Sequence, residues 1–162
     1  MAKLGDGAVF ATQFLDYRSA DGLFRKYRIV FVDSQPFARH MAISDQWKIW
    51  YLNAEMEKSP MKLAQEERFM TDFDSGFGAR HRKAMHHIAE RLKLEYFDID
   101  CAETRDGDLV VFEADNALIV HDMDPKDIYP YKSPQMNRIF DAFEKMLLKR
   151  ATSSCQNRSG QH

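Results

Sequence analysis

Two β-prone runs on either side of an Asp-Gly pair constrain this chain most. They are Leu94-Glu95-Tyr96-Phe97-Asp98-Ile99-Asp100 and Leu109-Val110-Val111-Phe112-Glu113-Ala114-Asp115-Asn116, separated by Arg105-Asp106-Gly107-Asp108. The pattern predicts strand, turn and strand. Residues two apart on a strand share a face, so Glu113 and Asp115 project together. A hairpin through Asp106-Gly107 brings Asp100 alongside them. Three carboxylates that close repel one another unless a cation neutralises them. The trio reads either as a divalent-metal site or as a solvated hairpin end with ordinary surface acids.

A second hairpin is expected upstream. Lys26-Tyr27-Arg28-Ile29-Val30-Phe31-Val32 is dense in β-branched and aromatic residues, and Asp33-Ser34-Gln35-Pro36 turns the chain. Phe37 to Ile43 then returns as an antiparallel partner. Ala8 to Leu15 is a further apolar, β-prone run, and Asp21-Gly22 marks a turn. Residues 46–54 carry Trp47, Trp50 and Tyr51 and are ambiguous between strand and loop; these aromatics are expected in a core or an interface.

Helices are expected after each Ser-Pro pair, where serine caps and proline takes the first helical position. Ser59-Pro60 starts one that runs to about Met70, a weakly amphipathic surface excursion broken by residues 74–78. Ala79 to Leu92 is helical, with Ala84, Met85, Ile88, Ala89 and Leu92 on one face. Ser133-Pro134 starts the last helix, expected to end near Lys149. Residues 149–162 are polar and expected to be a disordered tail. His121-Asp122 with Asp124 is a possible second cluster, and His40 is expected to be an ordinary packed or exposed histidine.

The chain has 162 residues, 44% of them hydrophobic, with a net charge of −2. That suffices for one domain with a core and gives no bulk attraction to nucleic acid or an anionic membrane. No apolar run reaches membrane-spanning length, and the first residues have no signal-peptide core. Cys101 and Cys155 have no metal-type spacing, so a reduced, cytoplasmic setting is expected.

At the carboxylate hairpin the sequence resembles the C-terminal half of the ATP-grasp fold, found in D-alanine–D-alanine ligases, glutathione synthetases and ribosomal-protein-modifying glutamate ligases. The matching residues are Ile99-Asp100, Asp106-Gly107 and Phe112-Glu113-Ala114-Asp115. Upstream, Gln13-Phe14-Leu15 resembles the hinge segment that holds adenine, and Tyr27 to Val32 resembles the family's central arginine-bearing strand. The sequence departs from the pattern where Asp115, followed by Asn116, stands in place of the family's asparagine, and where Asp98 replaces a glycine.

The resemblance implies an α+β fold, an antiparallel sheet with helices packed on one face, spanning residues 9–148 after a lead of residues 1–8. It implies ATP and Mg²⁺ as cofactors. Asp100, Glu113 and Asp115 (or Asn116) would hold the metal, Gln13, Phe14, Leu15 and Phe112 the adenine, and Arg28 the phosphate or acyl phosphate. Read from its residues alone, Arg28 fits a surface ion pair equally well. The implied reaction is activation of a small-molecule or peptide carboxylate as its acyl phosphate, followed by attack of an amine. The lid and N-terminal domain of the family are not matched, so the chain is expected to be a fragment, half of a split site completed by an N-terminal part or a homo-oligomer, or a degenerate binding module without catalysis.

Overall fold

A computed structural model describes residues 13–159. The expected lead of residues 1–8, the start of the apolar run before Gln13 and the last three residues lie outside the described residues.

Four strands form one antiparallel sheet in the order β2-β1-β3-β4: β1 Phe24–Val32, β2 Gln35–Ser44, β3 Tyr96–Glu103 and β4 Leu109–Asp115. Both expected hairpins are present. The β1–β2 turn is Asp33-Ser34, with φ of 47° and 68°. Positive φ at both central residues is the twist that tight hairpins favour. Gly107, at φ 85°, supplies the left-handed residue of the β3–β4 turn. Two bulges interrupt the ladders. Arg28 pairs with His40 and Ile29 with Ala38, leaving Arg39 extra on β2; Asp100 pairs with Glu113 and Cys101 with Val111, leaving Phe112 extra on β4.

The helices are α1 Pro60–Thr71, α2 Phe77–Arg80, α3 Arg82–Leu92 and α4 Lys132–Ser159. Ser59 caps α1 by accepting from the Lys62 backbone N–H at 3.4 Å. The expected helix at Ala79 to Leu92 is split at His81 into α2 and α3, and α3 stops at Lys93, whose φ is 53°. Residues 46–54 form a loop with a 3₁₀ turn at Tyr51–Asn53. α4 continues to Ser159, past the expected end near Lys149. Its Lys149 and Arg150 reach back to Asp33, and Arg150 also meets Glu95.

The core centres on β1 and β3. Ile29, Val30, Phe31, Phe97 and Ile99 are fully buried, and the cross-strand pair Phe31 and Phe97 stacks with centroids 4.4 Å apart. Strand parity explains how the helices distribute. Tyr27 points to the face where Phe69 of α1 and Phe77 of α2 pack, with centroids 4.9 and 4.5 Å from its ring. Lys26, Arg28, Val30 and Val32 share the opposite face. Its apolar half needs cover, and α4 supplies it; Phe143 meets Tyr96, the cross-strand partner of Val32, at 4.9 Å. The helices therefore pack on both faces, not on one as expected. α4 lies over the Val32 end of that face, and at the charged end Lys26 lines an open cavity.

Candidate functional site

The charged half of that face is built by register. β1 lies between β2 and β3, and Arg28 faces Asp100 across the ladder; on the other side of β3, Asp100 faces Glu113 and Asp98 faces Asp115. The hairpin thus brings the three predicted metal residues to one patch, together with Asp98.

Asp100 is 1% exposed, and both of its oxygens are engaged. Lys26 Nζ donates to it at 2.7 Å, and Arg28 donates through Nε at 2.7 Å and Nη2 at 2.9 Å. Burial alone would raise its pKa, but the hydrogen bonds from Arg28 and Lys26 outweigh burial and hold it at about 2. Asp98 has weaker support. It is 3% exposed, with Arg28 Nε 3.4 Å away. Burial pushes it up to about 6; Arg28 opposes that rise, and the Asp100, Asp115 and Glu113 charges add to it. Glu113 lies 3.8 Å from Arg28, and its side chain is open to solvent. Asp115 is exposed and accepts from the Ala117 backbone N–H at 2.8 Å.

Arg28 and Lys26 therefore relieve the carboxylate repulsion that the sequence assigned to a divalent cation. The trio does not fit a metal as it stands, because Asp100 has no free oxygen. Among the described residues, no three His, Cys, Asp or Glu side chains converge to hold a metal ion. The second candidate cluster is also taken up by cations and a hydroxyl. His121 Nε2 lies 3.2 Å from Arg39, Asp122 accepts from Ser133 at 2.6 Å, and Asp124 lies 3.7 Å from Lys132.

The predicted adenine residues do come together. Gln13, Phe14, Leu15 and Phe112 line a cavity of about 500 Å³ with Tyr17, Trp47, Val110 and Val111. An adjoining cavity of about 360 Å³ is lined by Lys26, Lys48, Asp100 and Glu113, and shares Tyr17, Trp47 and Phe112 with the first. The bulge at Phe112 sets this ring beside Tyr17, with centroids 5.1 Å apart. Phe14 meets Trp47 edge-on at 5.9 Å. An apolar, aromatic room and a charged one thus share a wall of Tyr17, Trp47 and Phe112.

Lys26, Tyr17, Trp47 and Lys48 escaped the sequence reading. Lys26 had a usable signal, since it stands two residues before Arg28 on the same strand. Tyr17 lay hidden in a polar stretch. Trp47 was expected in a core or interface, yet it is 57% exposed because its loop leaves the sheet after Ser44. Arg80 holds Glu103 at 2.9 and 3.1 Å on the Tyr27 face of the sheet, away from these cavities.

Behind β2 lies a buried polar network. Glu66 of α1 is fully buried and accepts from Tyr131 at 2.7 Å and Tyr51 at 3.2 Å, with Lys132 Nζ at 3.7 Å. Lys132 donates to Tyr51 and sits 3.9 Å from the centre of the Tyr129 ring. Burial raises the pKa of Glu66 and lowers that of Lys132. His40 packs against Tyr51 with ring centroids 4.6 Å apart and planes tilted by 45°; burial, then the Arg39, Arg28 and Lys132 charges, hold it well below the usual histidine range, so it is neutral at pH 7.

Comparison with protein-family models, curated proteins and solved structures finds no match to this chain.

Proposed function

We propose that the two adjoining cavities bind ATP, and that the chain is the nucleotide-binding part of an ATP-dependent carboxylate ligase of the ATP-grasp kind. One observation carries the reading: the aromatic cavity and the charged cavity share Tyr17, Trp47 and Phe112. A ligand spanning both needs a flat apolar end and a charged end. A purine nucleotide has both, and aromatic side chains are common stacking partners for bases. Three of the segments that resemble the family supply lining residues to this region: Gln13-Phe14-Leu15, Asp100, and Phe112-Glu113.

A bare triphosphate beside Glu113, which lines the charged cavity, meets like charge. The nucleotide is therefore expected to enter as its magnesium complex, with the metal as part of the substrate. In a ligase of this kind the γ-phosphate passes to a carboxylate, and an amine then displaces it. For this chain, the side chains assigned are Phe112 with Gln13, Phe14 and Leu15 at the base, and Arg28 and Lys26 at the phosphate end. Calorimetric titration of the full chain with Mg-ATP tests the reading. Phe112→Ala should weaken binding about tenfold, the range for loss of one base–aromatic stack. No binding up to millimolar Mg-ATP, or an affinity that Phe112→Ala leaves unchanged, refutes it.

A second reading is favoured by the closure of Asp100 between Lys26 and Arg28: a module that binds nucleotide or a protein partner without phosphoryl transfer. Mg-ATP binding without phosphate release in the presence of carboxylates and amines would select it.

A further inference from the structure

We propose that Trp47 and Lys48 form a second wall of the nucleotide site, Trp47 covering the base and Lys48 meeting the phosphates. This rests on the nucleotide reading and adds two residues that no resemblance assigns. The two side chains divide between the cavities as a nucleotide would require. Trp47 lines both rooms, whereas Lys48 lines only the charged one, with Lys26, Asp100 and Glu113.

The segment is held so that these side chains stay available. Ile49 anchors it at 8% exposure, and the buried Tyr17 hydroxyl donates to the Trp47 carbonyl. The Trp47 ring remains 57% exposed against the edge of Phe14. Backbone fixation with exposed side chains lowers the ordering cost of binding.

The charges point the same way. Lys26 is already paired with Asp100, and Arg28 is shared among Asp98, Asp100 and Glu113. Lys48 makes no hydrogen bond or ion pair among the described residues. It is the cation lining this cavity that can meet an incoming anion without giving up a carboxylate.

The test uses the full chain with Trp50→Phe, so that Trp47 alone reports fluorescence, titrated with adenosine and with Mg-ATP. Both ligands should quench Trp47. Trp47→Ala, followed by calorimetry, should weaken both by about tenfold. Lys48→Gln should weaken Mg-ATP by about fivefold, the upper range for an exposed ion pair, and leave adenosine unchanged. Lys48→Arg should restore Mg-ATP affinity. If Mg-ATP binds but neither substitution alters its affinity, the second wall is refuted and the nucleotide reading stands. Equal loss of adenosine and Mg-ATP in Lys48→Gln also refutes it, by showing a merely structural lysine. If neither ligand binds, both proposals fall.

Discussion

Lys132→Met should destabilise the fold at neutral pH far more than at mildly acidic pH. Lys132 is 2% exposed and Glu66 fully buried, and among the described residues Lys132 is the one cation in an ion pair with that carboxylate, at 3.7 Å. Methionine keeps much of the apolar stem but removes the charge, which leaves Glu66 buried without a counter-ion. Removing one partner of a buried pair costs about 3–5 kcal/mol. Three hydrogen-bonding groups remain on Glu66, from Tyr131, Tyr51 and the Met41 backbone N–H, so the lower end, about 3 kcal/mol, is expected here. The pH dependence follows from the direction of the shift. Burial already raises the folded pKa of Glu66, and Lys132 opposes that rise. Without Lys132 the folded pKa climbs further above its unfolded value. The penalty is then small below the unfolded pKa, where Glu66 is protonated in both states, and grows as pH rises toward the folded pKa. Urea denaturation of wild type, Lys132→Met and Glu66→Gln/Lys132→Met at pH 5 and pH 7 measures this. The double variant should recover most of the loss, because no buried charge remains. A pH-independent loss in Lys132→Met, or a double variant no better than the single one, would refute the reasoning.

Three further outcomes follow from the geometry. Asp100 is held at about 2, below its unfolded value, so its contribution is present above about pH 4 and lost as pH falls through 2, an amount of about 2 kcal/mol; thermal melts from pH 5 to 2 should show this acid limb flattened in Asp100→Asn, which should also be less stable at pH 7. Lys93 closes α3 at φ 53°, where glycine carries no Cβ penalty, so Lys93→Gly should raise stability by about 0.5–1 kcal/mol in urea denaturation. Cys101 is fully buried and its thiol pKa is pushed up by burial, so in a Cys155→Ala background a thiol reagent should label it only on unfolding; rapid native labelling would contradict the packing of β3.

The hairpins were legible because their signals are local. Alternating β-branched and aromatic residues around Asp33-Ser34 and Asp106-Gly107 specify turn and strand without distant partners. Ser59-Pro60 marked the start of α1 for the same reason. The electrostatics were not legible, because they depend on register. Lys26 and Arg28 reach Asp100 only once β1 pairs with β3, and the short spacing of three acids suggested a metal where two cations from a distant strand stand instead. Glu66 was equally hidden. It lies in a charged helix expected at the surface, and only Tyr51, Tyr131 and Lys132, brought from two other segments, explain its burial. Gln13, Phe14, Leu15 and Phe112, grouped by the resemblance, share one cavity, while Trp47 and Lys48 came from a loop with no periodic signal.

The central place of β1 bears on the order in which the chain folds during synthesis. Its partner β2 follows after two residues, so that hairpin can close as soon as both strands leave the ribosome. Asp100, which answers Lys26 and Arg28, is translated some seventy residues later. Until then the nascent hairpin carries two cations facing the medium with no carboxylate opposite. The arrival of β3 completes the sheet and sets Asp100 opposite both cations.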